Sequence, residues 1–261
     1  MPKLAANLTY LFTEHEFLDR FGAAAAAGFR GVEYQLPYAY DKELIAGELR
    51  AHGLEMVLMN LPPGDWDAGE AGIACLPGRE QEFRDGLETG IEYALALGCP
   101  QLNCLAGIAP SDIPPAALLE TFVENLRFAA ERFAQAGLLL LIEPINTRDR
   151  PGFYLSRSTQ AAEIINAVGA DNLFLQFDVY HTQVMQGDVV NNFMAQRERI
   201  RHVQIADNPG RHEPGTGELN FPFILAALDE MGYAGWVSLE YAPSDSTVAS
   251  LAWARDYLAQ A

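Results

Sequence analysis

The sequence predicts a single-domain α/β protein, a (β/α)8 TIM barrel that spans residues 1–261. Short apolar segments alternate eight times with longer amphipathic or alanine-rich segments, several of which end at a glycine. Such alternation is typical of parallel strands joined by helical crossovers. The length of 261 residues also matches eight such units in one barrel.

Eight strands are predicted from runs rich in Leu, Ile, Val and Phe, which suit a sheet that is buried on both faces. In chain order they are Leu4–Leu8, Gly31–Leu36, Leu54–Asn60, Gln101–Leu105, Leu138–Glu143, Leu173–Asp178, His202–Ala206 and Trp236–Tyr241. The competing architecture is a doubly wound open sheet, which usually has a glycine-rich turn after its first strand. Because no GxGxxG pattern follows Leu4–Leu8, the barrel is favoured.

Helices are predicted between the strands from amphipathic spacing and glycine stops. They are Glu16–Ala27, Lys42–His52, Glu80–Leu97, Ala116–Ala136, Thr159–Val168, Val189–Arg199, Pro222–Met231 and Thr247–Leu258. The two longest irregular segments, residues 62–77 and 206–219, both follow strands. We therefore expect them at the carboxyl end of the barrel, where such folds carry their sites.

The composition excludes several classes of function. The net charge of −18, with only two lysines, disfavours nucleic acid and anionic membrane surfaces as partners. No apolar run approaches the roughly 20 residues of a membrane-spanning helix. The three cysteines, Cys75, Cys99 and Cys104, form no CxxC pair and are expected to be reduced. We therefore expect a cytoplasmic protein.

Four polar residues lie at or near the carboxyl ends of four successive predicted strands: Glu143, Asp178, Gln204 and Glu240. A carboxylate in a buried strand is costly unless it is paired or bound to a metal. Taken singly, each is also explained by a helix cap or an ion pair. As a set they would converge at one mouth of the barrel. Three carboxylates and an amide oxygen form a hard ligand set, which predicts Mg²⁺ or Mn²⁺ rather than zinc.

Further residues are expected to contact a substrate at this mouth. His181 follows Asp178 by three residues and would hydrogen-bond a substrate oxygen or carry a proton. Arg211 and His212 lie in the loop after the seventh strand, and the fork of an arginine suits a substrate carboxylate. Glu70, in the loop after the third strand, is expected to cover the mouth. The alternative for each is a solvated or backbone-bonded loop residue.

The sequence resembles the hydroxypyruvate isomerase family, within the xylose isomerase-like barrel superfamily. The resemblance covers essentially the whole chain, and its most specific segments are PGDWDAGE…GIACLPGRE and QIADNP…EPGTGE. The shorter pieces IEP, FDxYH and LEY identify the superfamily alone. The resemblance implies an aldose–ketose type isomerisation of a small hydroxy-oxo acid, with Glu143 and Glu240 as the two acid/base residues.

The resemblance also implies a metal site formed by Glu143, Asp178, Gln204 and Glu240, with His181 as the histidine of the FDxYH motif. Many members of the superfamily carry a histidine ligand on the seventh strand, where this chain has Gln204. This difference weakens the affinity for zinc-like metals.

The predicted reaction interconverts hydroxypyruvate and 2-hydroxy-3-oxopropanoate (tartronate semialdehyde) through an enediolate. One glutamate would remove a proton beside the carbonyl group, and the other would return it to the adjacent carbon. A divalent cation would stabilise the developing charge. Which glutamate acts first, and the oligomeric state, stay open at this stage; a homo-oligomer is one alternative.

Three other functions compete with this prediction. The nearest is isomerisation of a four-carbon oxo-sugar acid, 2-oxo-tetronate, by the same residues. A more distant alternative is a non-catalytic sugar-acid binding protein, although binding alone does not require two buried glutamates. The endonuclease-like branch of the superfamily needs a histidine-rich zinc site and a basic face, which five histidines and a net charge of −18 oppose.

Overall fold

The computed structural model describes residues 2–258, and these form a closed barrel of eight parallel strands in chain order. The strands are β1 Lys3–Asn7, β2 Gly31–Glu33, β3 Glu55–Asn60, β4 Gln101–Cys104, β5 Leu139–Ile142, β6 Leu173–Asp178, β7 Ile200–Ile205 and β8 Trp236–Leu239. The barrel is closed by pairing between β8 and β1, with Lys3 opposite Trp236 and Ala6 opposite Leu239. The predicted fold is confirmed.

Ten α-helices lie among the described residues. They are α1 Asp19–Ala26, α2 Lys42–His52, α3 Glu80–Leu97, α4 Pro115–Ala136, α5 Ser158–Val168, α6 Val179–Met185, α7 Val189–Gln196, α8 Phe221–Glu230, α9 Thr247–Ser250 and α10 Arg255–Leu258. Helices α2, α3, α4 and α5 each end at a left-handed glycine, namely Gly53, Gly98, Gly137 and Gly169. Glycine adopts this conformation without steric cost, which explains the sharp helix stops.

Two helical segments differ from the sequence prediction. Helix α6 follows β6 directly, because the Asp178 carboxylate accepts a hydrogen bond from the backbone N–H of His181 and caps the helix. The predicted helix Thr247–Leu258 is divided into α9, a 3₁₀ turn at Ala252–Ala254 and α10. The Ala254 N–H bonds to the carbonyl of Leu251, three residues back, which tightens the backbone between the two α-helices.

The interior of the barrel contains buried polar side chains. Glu33, at the end of β2, lies 2.7 Å from Nε2 of His202 on β7, and Gln101, at the start of β4, lies 3.5 Å from Nδ1 of the same imidazole. These strands are not neighbours in the sheet, so the contacts pass through the interior of the barrel. Buried polar groups require such partners, and here they pair with one another.

Two further sequence predictions concern membrane-spanning helices and the state of the cysteines. No helix in residues 2–258 is long and apolar enough to cross a membrane. The three cysteines are free and buried.

Candidate active site

A small cavity opens at the carboxyl end of the barrel. It encloses about 80 Å³, and four of the predicted site residues line it, namely Glu143, His181, Arg211 and Glu240. Pockets for drug-sized ligands span about 300–1,000 Å³. The cavity therefore suits a substrate of few atoms.

Four side chains converge at the base of this cavity. Glu143, Asp178, His181 and Glu240 each offer one ligand atom, and these atoms all lie within 4.8 Å of one another. The Asp178 Oδ2 atom is buried and has no hydrogen-bond partner. Because an unpaired buried carboxylate oxygen is costly, this atom fits a bound cation. The cluster could hold a metal ion.

Glu240 is the most heavily bonded acid of the cluster. Its Oε1 atom accepts hydrogen bonds from the side-chain amides of Gln35, Asn7 and Gln204 at 2.7, 3.0 and 3.1 Å. Its Oε2 atom pairs with the guanidinium of Arg211. Burial raises the pKa of Glu240 to about 8 against the lowering effect of Arg211. The carboxyl group is therefore poised to exchange a proton near neutral pH.

Glu143 lies on the other side of the cluster. Its Oε2 atom accepts a hydrogen bond of 2.8 Å from the Asn103 amide. Burial raises the pKa of Glu143 well above its usual value, and the charges of Glu240 and Asp178 raise it further. Two glutamates in different environments thus lie on either side of one cavity, which is an arrangement for paired acid/base chemistry.

The tautomer of His181 follows from its neighbour Asn146. The Asn146 Oδ1 atom accepts from the backbone N–H of Asp149, so the Asn146 amide nitrogen faces the imidazole, 2.7 Å from Nδ1. Nδ1 is then an acceptor, and the neutral ring carries its proton on Nε2. Burial lowers the pKa of His181 to about 4, which keeps the ring neutral. Nε2 lies 3.7 Å from Asp178 and 3.9 Å from Glu143.

Gln204 does not present its oxygen to the cluster. Its Oε1 atom accepts a hydrogen bond of 2.6 Å from Gln176, and its Nε2 atom donates to Glu33 and Glu240. Ligation by Gln204 requires its amide to rotate by half a turn. The amide of Gln176 would have to rotate with it, because two amide nitrogens would otherwise face each other. The metal-ligand role of Gln204 stays a prediction.

Arg211 lies over the cluster between two tyrosine rings. Its guanidinium carbon is 5.1 Å from the ring centroid of Tyr10 and 5.3 Å from that of Tyr180. The same guanidinium pairs with Glu240 and approaches Asp178 at 3.8 Å. Carboxylates of the protein thus match the charge of Arg211, while its buried Nε atom has no hydrogen-bond partner. The role of Arg211 in binding a substrate carboxylate stays a prediction.

Similarity to known proteins identifies the family of the chain. Residues 21–257 match the family described as xylose isomerase-like TIM barrel. The chain belongs to this family. The hydroxypyruvate isomerase of Escherichia coli is 49% identical over 257 residues, which cover 98% of this chain and all of that protein. The 2-oxo-tetronate isomerase of Cupriavidus necator is 47% identical over 258 residues, 99% of each chain. The predicted family resemblance is confirmed.

Solved structures show the same barrel. A structure from Brucella melitensis, described as an AP endonuclease of family 2, has a TM-score of 0.97 and 46% identity, and covers 98% of this chain and 99% of that chain. The 3-keto-D-glucoside 4-epimerase of Escherichia coli has a TM-score of 0.82 at 20% identity, with 98% and 100% covered. This second likeness concerns the fold alone.

Two residues predicted from sequence lie away from the cavity of this xylose isomerase-like barrel. Glu70 accepts hydrogen bonds from Arg79 at 2.7 and 3.2 Å and from the backbone of Asp65, so it braces the loop after β3. His212 directs Nδ1 to the carbonyl oxygen of Ala242, at 2.7 Å. Neither is among the described residues that line the cavity. The substrate-binding roles of Glu70 and His212 stay predictions.

Glu33 closes β2 and is 1% exposed, and it was not among the site residues predicted from the sequence. Its Oε1 atom accepts from Asn7 and Gln204, and its Oε2 atom lies 2.7 Å from His202 Nε2. Glu33 thereby orients two of the amides that donate to Glu240. The signal that could have identified Glu33 is the one that identified Glu143, Asp178 and Glu240, namely a carboxylate at the end of a buried strand.

Proposed function

We propose that the protein is an isomerase that interconverts hydroxypyruvate and 2-hydroxy-3-oxopropanoate. The observation that carries the proposal is the pair Glu143 and Glu240, two buried carboxyl groups with raised pKa values on one small cavity. The relative from Escherichia coli, a hydroxypyruvate isomerase, supports the choice of substrate. The three free, buried cysteines support a reducing compartment, the cytoplasm.

In the proposed reaction the two glutamates move one hydrogen between adjacent carbons. One carboxylate removes the proton from the hydroxymethyl carbon beside the carbonyl group, and the other carboxyl group delivers a proton to the former carbonyl carbon. The hydroxyl proton passes to the former carbonyl oxygen, so that the first carbon becomes the aldehyde and the second carries the hydroxyl group. The raised pKa values suit this exchange, because each carboxyl group then holds a proton more readily than an exposed glutamate does. His181, with its proton on Nε2, donates a hydrogen bond to a substrate oxygen.

We further propose that Glu143, Asp178 and Glu240 hold Mg²⁺ or Mn²⁺. The unpaired Asp178 Oδ2 atom and the carboxylate-rich donor set support a hard cation. When bound, such an ion supplies electrostatic stabilisation of negative charge on the substrate oxygens. Arg211 must then share or release Glu240, since both would use the same carboxylate.

The second candidate is isomerisation of a four-carbon 2-oxo acid, favoured by the 2-oxo-tetronate isomerase of Cupriavidus necator at 47% identity. It would use the same residues. Comparing kcat/KM on the three- and four-carbon acids decides between them.

A nuclease function is not favoured, although the similar Brucella melitensis structure is described as an AP endonuclease. The net charge of −18 opposes approach to a phosphate backbone. His181 is the one histidine of the metal-competent cluster found among residues 2–258, whereas a multi-zinc site needs several.

Proton NMR of the purified protein with hydroxypyruvate in heavy water tests the proposal. We expect the aldehyde product to form and solvent deuterium to enter the reacting carbon. Treatment with a chelator should abolish turnover, and Mg²⁺ or Mn²⁺ should restore it. Binding without product formation or deuterium exchange would favour the non-catalytic binding protein instead.

A further inference from the structure

The cavity contains a second arginine whose charge has no ion-pair partner among residues 2–258. Arg150 lines the cavity together with Glu143, His181 and Glu240. Within residues 2–258 its guanidinium makes neither a hydrogen bond nor an ion pair. Arg211, in contrast, is matched by Glu240 and Asp178. A small anion that enters the cavity therefore meets one uncommitted cation, Arg150.

The position of Arg150 is defined by its stacking and by its backbone. Its guanidinium carbon lies 4.9 Å from the ring centroid of Trp66, which also lines the cavity. Its backbone N–H donates to the Asn146 carbonyl, and its own carbonyl accepts from Phe153. A guanidinium that stacks on an indole keeps its N–H groups free at its edge. The stack thus holds the guanidinium, which can donate two parallel hydrogen bonds, at the cavity mouth between the loop after β3 and the loop after β5.

An anionic substrate needs such a group in this protein. The base of the cavity holds several carboxylates, and the whole molecule carries a net charge of −18. A substrate carboxylate placed against these groups without a cation would be repelled. A planar guanidinium matches the two oxygens of a carboxylate better than a lysine does.

We propose that Arg150, held on Trp66, binds the carboxylate of the substrate. The proposal rests on the proposed function and assigns to Arg150 the role that the sequence analysis gave to Arg211. The reacting carbons then lie over Glu143 and Glu240, and the carboxylate points outward to the mouth. Three- and four-carbon 2-oxo acids share a carboxylate next to the carbonyl group, so both would use Arg150. Neutral aldoses and ketoses would lack this contact.

The test is Arg150→Met, which keeps the apolar length of the side chain and removes the donors. We expect KM for hydroxypyruvate to rise roughly 10- to 100-fold, the usual worth of a charge-assisted contact, while kcat stays close to wild type. For dihydroxyacetone, which has a hydroxymethyl group in place of the carboxylate, kcat/KM should not change. Equal losses on both substrates, or an unchanged KM for hydroxypyruvate, would overturn the proposal.

Arg157→Met is the matched control. Arg157 belongs to the same β5–α5 connection but is exposed and does not line the cavity. The substitution Arg157→Met removes the same charge from the same region as Arg150→Met. A purely long-range effect of charge on KM would therefore appear in both variants. We expect the KM of Arg157→Met to equal that of the wild type, and a rise as large as that of Arg150→Met would overturn the specific contact.

Calorimetric titration with tartronate separates this inference from the proposed reaction, because it needs no turnover. We expect Arg150→Met to weaken tartronate binding roughly 10- to 100-fold and Arg157→Met to leave it unchanged. A wild-type protein that binds tartronate through Arg150 but does not convert hydroxypyruvate would refute the reaction and keep the contact. Tartronate binding that is absent from the wild type, or unaffected by Arg150→Met, would refute the contact.

Discussion

At the scale of single residues, the two oxygens of Glu240 have different surroundings. Oε1 accepts from three amides, while Oε2 faces Arg211. A carboxylate oxygen with three donors has no remaining capacity to accept a proton. Oε2 is therefore the oxygen that would exchange the proton, once Arg211 has moved away from it.

Glu240→Gln should abolish this exchange and leave the fold intact. Glutamine has the same shape but cannot accept the proton, so we expect kcat to fall by roughly 10²- to 10⁴-fold, the usual range for general acid–base catalysis. Steady-state kinetics and circular dichroism measure the two properties. Glu230→Gln, at the exposed end of α8, is the control. Wild-type activity in Glu240→Gln would refute the acid/base assignment.

Glu33→Gln should affect both stability and activity, although Glu33 does not line the cavity. Its Oε1 atom accepts from Asn7 and Gln204, and its Oε2 atom lies 2.7 Å from His202 Nε2. Glutamine has one oxygen for these contacts, so its amide nitrogen would face either His202 or the two amide donors. A buried donor left without an acceptor costs about 1–3 kcal/mol, which urea unfolding would detect. Glu55→Gln, exposed at the start of β3, is expected to be neutral. Equal stability of the two variants would show that the Glu33 network carries no such energy.

At the scale of elements, the loop after β3 is held against the loop after β4 by a close backbone approach. Gly72 has a φ of +103°, and a Cβ atom there would lie 2.2 Å from the carbonyl oxygen of Leu105. No side chain fits that space, because the obstacle is backbone and cannot rotate away. The same loop carries Trp66 and is braced further by Glu70 and Arg79. The packing of this loop against the loop after β4 therefore positions the Trp66–Arg150 stack.

Gly72→Ala should displace this loop, and Gly69→Ala is its matched control. Gly69 also has a positive φ, +91°, but a Cβ atom there meets nothing within 4 Å. We expect Gly69→Ala to cost about 1–2 kcal/mol from backbone strain alone. Gly72→Ala should cost clearly more and also raise KM. Urea unfolding and kinetics measure both, and equal costs would refute the close-approach explanation.

The ion pair within this loop should make its stability depend on pH. The side-chain hydrogen bond from Arg79 lowers the pKa of Glu70 below 4.5. At a pH above the pKa that Glu70 has in the unfolded chain, the ion pair therefore stabilises the fold. This contribution is lost as the pH falls through the lower pKa that Glu70 has in the folded protein. Because both groups are partly exposed, we expect at most about 1 kcal/mol. Urea unfolding at pH 7 and at pH 3 compares the wild type with Glu70→Gln. We expect their free energies of unfolding to differ at pH 7 and to converge at pH 3. The same difference at both pH values would refute the contribution of the ion pair.

At the scale of the whole molecule, the proposed cation in the barrel mouth would link the ends of three strands. Its proposed ligands lie at the ends of β5, β6 and β8 and are separate in the unfolded chain, so a bound ion would stabilise only the folded state. At 100 times its Kd, Mg²⁺ or Mn²⁺ should add about 2.7 kcal/mol, roughly 5–10 °C in Tm for a chain of this size.

Asp178→Asn should remove most of this thermal shift, since it removes the charge of the carboxylate whose Oδ2 atom has no hydrogen-bond partner. Asp188→Asn, exposed before α7, is the control and should keep the full shift. Differential scanning calorimetry with and without the metal measures the change. The same shift in all three proteins would place the ion elsewhere.

The sequence by itself determined the eight-unit barrel and the strand-end positions of Glu143, Asp178 and Glu240. Helix stops, apolar runs and misplaced polar residues are local patterns, and the order of strands in a closed parallel barrel follows the chain. This local information was sufficient to predict which acids would meet.

Only the tertiary structure decided the partners of these acids. Closure of the barrel brings Gln35 to Glu240 across 205 positions and Asn7 to the same carboxylate across 233 positions. The orientation of the Gln204 amide, the pairing of Arg211 and the free guanidinium of Arg150 likewise depend on which side chains meet in the interior or at the mouth. Such contacts are set by packing between distant segments, and no local pattern in the chain encodes them.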